Sequence, residues 1–138
     1  MRILLIDDEA RKAQAIISYF QEICGWDAEI ATGPDQALKL LEGTMSQPYD
    51  LIILDIMMDP GTVIPSSLSE GGRATGLILL GMIRKLTGGK VPIVLYTART
   101  DLDYLQSEGR VAGYVQKPRT VRELVGEIEN LLESREPK

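Results

Sequence analysis

The stretch LIILDIMMDPGTVIPSSLSEGGRATG, residues 51–76, decides the fold. Leu51 to Leu54 is unbroken apolar chain, the signature of a strand covered on both faces. It ends abruptly in Asp55, and a long polar segment with two prolines and a Gly-Gly pair follows before apolar chain resumes at Leu77. Four further apolar runs flank it: Ile3–Ile6, Ala28–Ala31, Val91–Tyr96 and Gly113–Val115. Between the runs the period changes to that of a helix. Ala13, Ile16, Ile17, Phe20 and Ile23 share one helical face, with Gly25 as the stop. Pro34 suits a first helical position, with Ala37, Leu38 and Leu41 inward and Gly43 as the stop. LILLGMIRKL, residues 77–86, is short enough for a strand, but Leu79, Leu80, Ile83 and Leu86 fit a helix that Gly88-Gly89 would end. Thr120 and Glu123 form a capping box before Val121, Leu124, Val125, Ile128, Leu131 and Leu132. The order is strand–helix repeated five times. It predicts an α/β fold, with a parallel sheet, right-handed crossovers and helices on both faces.

The chain has 138 residues, a length for one domain spanning 1–138 with a real core, and residues 134–138 read as a flexible tail. Fifteen basic against 20 acidic residues give a net charge of −5 without histidine, so nothing favours nucleic-acid binding by this chain. Cys24 is the lone cysteine and excludes an internal disulfide, which fits a reducing compartment. It reads as a small hydrophobe on a helix. No apolar run approaches a membrane span, and the N-terminal apolar run is too short for a signal peptide and meets two aspartates at once. The expectation is a soluble, cytoplasmic protein.

In open parallel sheets, ligands bind beyond the carboxyl ends of the strands. Strand one delivers Asp7 and Asp8 there, strand three Asp55, strand four Thr97, and strand five Lys117 before Pro118. Each has a bland explanation: Asp8 favours a helix N-terminus, Thr97 is an ordinary strand residue, Lys117-Pro118 an ordinary turn. Coincidence at four strand ends together is the weaker account. Three neighbouring carboxylates repel one another unless a cation is present. An all-oxygen site with an open side suits Mg²⁺, and a cation plus a lysine suits a phosphoryl group. A carboxylate can itself be the nucleophile, and Asp55, on the central strand, is the candidate.

With these residues in place, the sequence resembles the receiver domain of two-component response regulators. The resemblance is carried by ILLIDDE with Asp7-Asp8, LIILDIMM with Asp55, VLYTAR with Thr97-Ala98, and YVQKP with Tyr114 and Lys117-Pro118. It runs over nearly the whole chain. It implies a three-layer, doubly wound (βα)5 fold with the flavodoxin-like strand order 2-1-3-4-5. It implies that Asp55 accepts phosphate from a sensor histidine kinase or phosphotransfer protein. Asp8, Asp55 and the Met57 carbonyl would bind Mg²⁺ directly, Asp7 largely through water, and Lys117 would pair with the carboxylate and later the phosphoryl oxygens. The Lys117–Pro118 bond is expected to be cis. Thr97 would swing to the phosphoryl group and Tyr114 turn inward, switching the surface of the fourth and fifth strand–helix units. Such a domain is no enzyme beyond its own phosphoryl transfer and slow autodephosphorylation. It controls a downstream protein partner or an output domain carried elsewhere, relays phosphate, or forms a homodimer.

Two departures stand out. Asp59 intrudes between Met58 and Pro60, and the 17 residues from Asp59 to Thr75 exceed the usual structureless loop. This insertion is either a tolerated surface loop or a lid or docking element beside the phosphoacceptor. The connection from Thr97 to Tyr114 is short, so helix four is expected to be short or displaced, which weakens the expectation of the usual output and homodimer face. Three rival readings differ in testable ways. An aspartate-nucleophile phosphatase needs a second aspartate where Met57 stands, and a nucleotide-binding domain needs a phosphate loop that neither LTGGKVP nor EGGRATG supplies. A receiver-fold interaction module that is never phosphorylated would differ in failing to react with a phosphodonor. Met57 and Arg99 occupy the two positions that, in receivers, influence phosphoryl loss, and neither is a carboxylate or amide suited to orienting water. A long-lived phosphorylated state is therefore expected. Following its decay by intact mass in Mg²⁺ buffer checks this, and a half-life of seconds contradicts it.

Overall fold

The computed structural model describes residues 1–42 and 48–135. Its elements are β1 (Arg2–Ile6), α1 (Ala10–Glu22), β2 (Asp27–Ala31), α2 (Pro34–Glu42), β3 (Leu51–Leu54), α3 (Thr75–Thr87), β4 (Ile93–Thr97), α4 (Tyr104–Ser107), β5 (Gly113–Gln116) and α5 (Val121–Arg135). The strands form one parallel sheet in the order β2-β1-β3-β4-β5. This is the doubly wound order expected, with the reversal between β1 and β3.

Strand alternation explains why the central runs carry no polar residue. Ile3, Leu5, Leu51 and Ile53 pack against Ala13, Ile16, Ile17 and Phe20 of α1 and Leu124, Val125 and Ile128 of α5. Leu4, Ile6, Ile52 and Leu54 face the other way, onto Ala37, Leu38 and Leu41 of α2 and Leu79, Leu80 and Ile83 of α3. A polar side chain on either face of β1 or β3 would be buried without a partner. Among the described residues no helix is long and apolar enough to cross a membrane.

Two residues expected inward are not. Ile23 is exposed although its backbone is still helical, because it caps α1 beyond Phe20, the last buried residue of that helix. Leu86 is half exposed; in the last turn of α3 it lines a groove with Leu41, Tyr49 and Val91 rather than entering the core. Gly88 ends α3 in the left-handed conformation, which a residue with a side chain rarely adopts. The Gly43 stop lies outside the described residues. α5 continues through Arg135, two residues into the segment expected as tail. Its capping box is formed: the Glu123 N–H donates to the Thr120 hydroxyl at 3.1 Å. α4 is a single turn.

The segment after β3 is shaped by the core rather than hung outside it. Ile64 is buried among the α2–α3 side chains, and Ser66–Leu68 forms a 3₁₀ turn. The Asp35 carboxylate, in the first turn of α2, accepts hydrogen bonds from the Thr62 and Val63 N–H groups and the Thr62 hydroxyl. These bonds hold its pKa below the ordinary aspartate value. The segment closes on itself where the Met58 N–H donates to the Gly72 carbonyl at 3.0 Å. The first turn of α3 holds Gly76, whose N–H donates to the Ile56 carbonyl at 2.8 Å. A Cβ on Gly76 would collide with backbone atoms of Asp55 and Ile56.

Gly81, exposed on the same helix, meets nothing within 4 Å of an added Cβ. The two glycines should therefore respond oppositely to alanine. Gly81→Ala should stabilise the protein by about 0.5–1 kcal/mol through helix propensity. Gly76→Ala should destabilise it by about 1–3 kcal/mol, because rigid backbone must shift. Urea unfolding of both variants checks the signs.

Candidate functional site

The site is built where the sheet stops. Past the strand ends the backbone ladder continues for one residue: the Asp7 N–H donates to Ala31, that of Asp55 to Ile6, and that of Lys117 to Thr97. Each bond fixes the residue that follows its strand, so the side chains at the edge stand on rigid backbone. Asp7 and Asp55 are only 2% and 5% exposed, Thr97 is fully buried, and Asp8 faces solvent.

The Lys117 ammonium donates to Asp7 Oδ2 at 2.7 Å and Asp55 Oδ2 at 3.1 Å. It also lies over the Tyr96 ring, 5.2 Å from the centroid. The remaining oxygens of the two carboxylates are held by backbone: Asp7 Oδ1 accepts the Glu9 N–H at 2.9 Å and Asp55 Oδ1 accepts that of Met57 at 3.2 Å. Asp8 Oδ2 accepts the Asp59 N–H at 3.3 Å, so the first residue of the insertion helps orient it. One oxygen from each of Asp7, Asp8 and Asp55 lies within 4.8 Å of the others. The peptide bond from Lys117 to Pro118 is cis, and the Tyr96 hydroxyl donates to the Arg119 carbonyl just beyond it.

Three carboxylates around one ammonium leave surplus negative charge. Burial pushes the Asp7 carboxyl up, and its bonds to Lys117 and the Glu9 amide only partly offset this. For Lys117, burial is the largest single influence and lowers its pKa, but the bonds and charges of Asp7 and Asp55 together outweigh it and leave the ammonium raised. An all-oxygen set of this kind fits a hard divalent cation.

The other expected residues fall into two groups. Met57 lies beside the carboxylates, lining a cavity of about 670 Å³ with Asp8, Asp59, Ser69 and Arg73. Thr97 and Arg99, at and just past the end of β4, form a second cluster with Tyr114, near the beginning of β5. Thr97 Oγ1 accepts the Arg99 N–H at 3.4 Å, and the Tyr114 hydroxyl donates to the Arg99 carbonyl. The Arg99 guanidinium is held by Asp101 and the Arg73 carbonyl. Asp59, marked in the sequence as an intruder after Met58, does meet the site through Asp8, whereas Tyr96 and Asp35 were missed by sequence reasoning. Tyr96 had a signal, since it precedes Thr97 on the strand that ends at the site. Asp35 reads locally as an acid favoured by a helix N-terminus, and nothing nearby in sequence points to the loop it grips.

The response regulator receiver domain family matches residues 3–129. The chain is 32% identical over 139 residues to the transcriptional regulatory protein BaeR of Escherichia coli, covering 99% of this chain and 50% of that protein. It is 30% identical to CpxR of the same species over 133 residues, covering 95% of this chain and 49% of CpxR. The chain thus spans about half the length of the curated relatives it matches. Among solved structures, the response regulator TrrA of Thermotoga maritima, in complex with Mg²⁺-BeF, aligns with a TM-score of 0.69 and 31% identity over 94% of this chain and 97% of that one. The receiver domain of Francisella response regulator 1452 aligns with a TM-score of 0.73 and 25% identity over 98% of both chains. The chain belongs to the response regulator receiver family of two-component signalling.

The charge surplus has a measurable consequence. Asp8→Asn removes one of three crowded charges and few contacts, so in metal-free buffer its unfolding midpoint should rise by about 2–5 °C. The gain should shrink as salt is added, because Asp8 is exposed and its repulsion is screened. Scanning calorimetry against NaCl concentration checks both, and a lowered midpoint contradicts the reading.

Proposed function

We propose that the chain is a magnesium-dependent phosphoacceptor that takes a phosphoryl group on Asp55 from a histidine kinase or phosphotransfer protein. The observation that carries this is the pairing of a nearly buried Asp55 with Lys117, beside two further carboxylates, on the carboxyl edge of a receiver sheet. Asp8, Asp55 and the Met57 carbonyl would hold Mg²⁺, with Asp7 acting through water. The ion, when bound, neutralises the carboxylates and the charge of the incoming phosphoryl group. A carboxylate oxygen of Asp55 attacks phosphorus, the P–N bond of the donor phosphohistidine breaks, and the imidazole leaves with that electron pair.

Lys117 is already within hydrogen-bond distance of the attacking group. It exchanges its bond to the Asp55 carboxylate for one to a phosphoryl oxygen, so its charge stays compensated throughout. The Thr97 hydroxyl, which in the resting state accepts the Arg99 N–H, turns to donate to another phosphoryl oxygen. Tyr114 then moves inward. The output is a protein partner or a domain outside this chain. The Asp55 environment also bears on a second reading, a receiver-fold module that binds its partner without phosphorylation, because the insertion lines the cavity beside Asp8 and Met57.

Intact-mass spectrometry after incubation with acetyl phosphate separates the two. One phosphoryl group should add in Mg²⁺, fail to add with chelator, and fail to add in Asp55→Asn. No addition even with a cognate kinase supplied would favour the phosphorylation-independent module.

A further inference from the structure

The insertion carries one cation to the rim of the site and leaves its charge free. Arg73 stands just before α3, and its main chain is fixed on both sides. The Gly72 carbonyl, one residue back, accepts the Met58 N–H at 3.0 Å, and a Cβ on Gly72 would lie 3.1 Å from the Met58 oxygen. The Arg73 N–H donates to the Glu70 carbonyl at 3.4 Å, and its own carbonyl accepts a hydrogen bond from the Arg99 guanidinium at 3.0 Å. The backbone of Arg73 is thereby seated against the residue that follows Met57. Its side chain is exposed, and among the described residues it makes no ion pair or hydrogen bond. Asp101 feels its charge, but both Asp101 oxygens are taken by Arg99, at 2.9 and 2.6 Å.

Arg73 lines the cavity of about 670 Å³ whose wall also includes Asp8, Met57 and Asp59, and it is the one basic residue among the described lining residues. One Asp8 oxygen lies within 4.8 Å of one from Asp55, so the cavity adjoins the phosphoacceptor. We propose that Arg73 binds the phosphoryl group of the incoming donor in this cavity and holds it beside Asp55 for transfer. This rests on the phosphoacceptor reading above. Three carboxylates against the Lys117 ammonium leave two negative charges, which a divalent cation cancels without surplus. A phosphoryl group that arrives with its own negative charge then meets no free cation at the sheet edge, because Asp7 and Asp55 engage Lys117. Arg73 supplies one from the side. Its planar fork matches two phosphoryl oxygens, and charge-assisted bonds of this kind are about twice as strong as neutral ones. The insertion is then a docking element for the donor's phosphoryl group, not a merely tolerated loop.

The test uses the full chain in Mg²⁺ with acetyl phosphate or phosphoramidate, and reads the second-order rate constant of phosphorylation by intact mass. Arg73→Gln should lower it roughly threefold to tenfold with both donors, the scale of a charged hydrogen bond discounted for solvent exposure. Arg73→Lys, which keeps the charge without the fork, should fall between wild type and Arg73→Gln, and Arg73→Glu below both. The ratio of wild type to Arg73→Gln should shrink as NaCl is added, since the attraction is screened. Because the side chain is exposed and makes no polar contact among the described residues, all three variants should keep the wild-type midpoint in urea. A wild-type rate constant in Arg73→Gln would overturn the proposal and leave the receiver reading intact. So would a loss that salt does not change, which marks a structural role, or one confined to a single donor, which places Arg73 against the carrier. A wild-type chain that takes up no phosphoryl group, even from a kinase, would overturn both.

Discussion

One ammonium between two nearly buried carboxylates organises this molecule. Lys117 reaches Asp7 at 2.7 Å and Asp55 at 3.1 Å, and it can do so only because β1, β3 and β5 end on the same edge of the sheet. The pairing is structurally demanding. Burying an aspartate is unfavourable unless its oxygens are satisfied, and here each oxygen of Asp7 and Asp55 has a donor on rigid backbone or on Lys117. It is also incomplete, since Asp8 adds a third negative charge with no side-chain cation in contact among the described residues. A site that is satisfied in hydrogen bonds but unbalanced in charge is stable enough to fold and still attracts a cation. That combination joins the architecture to the chemistry.

The sheet could be read from the sequence because burial on both faces leaves no alternative residue types. Leu51 to Leu54 and Ile3 to Ile6 are fully apolar for the same reason that they sit at the centre. The strand-end residues were readable for a different reason. A carboxylate or ammonium directly after such a run has nowhere to go except the edge. Ile23 and Leu86 were misread at helix ends, where the periodic rule outlasts the surface it packs on. The path of the insertion was beyond reach, because its guides are single contacts across many residues. Thr62 and Val63 bind Asp35, and Ile64 enters the core, without any local pattern that announces either.

The same limit applies to Arg99. Its position after Thr97-Ala98 marked it through the family resemblance, but its chemistry lies in whom it touches. Its carbonyl, amide and guanidinium serve three different segments, and only the last depends on its being arginine. Main-chain hydrogen bonds leave no trace in residue identity, so a coupling made through them is visible only in three dimensions. The short α4 and the long segment before α3 belong to the same account. Where a receiver has one helix reduced to a turn, the neighbouring insertion is the larger body next to Thr97 and Arg99.

The hydrogen bond from Met58 to Gly72 gives the insertion an unusual modularity. It joins the two ends of the segment across a single contact, so residues 59–71 form a ring whose neck is one hydrogen bond wide. The sheet therefore senses the neck and not the length of the ring, and loop-closure entropy rises only slowly with length. Cutting the ring back to a tight turn would remove two buried side chains, Ile64 and Ser69, and the grip of Asp35, while leaving the approach of Gly76 to Asp55 and Ile56 untouched. Asp59 at the base of the ring touches Asp8, while the residues beyond it meet β3 and the start of α3 only through the neck, so the segment beside the site is tied to it at its ends and open to change between them.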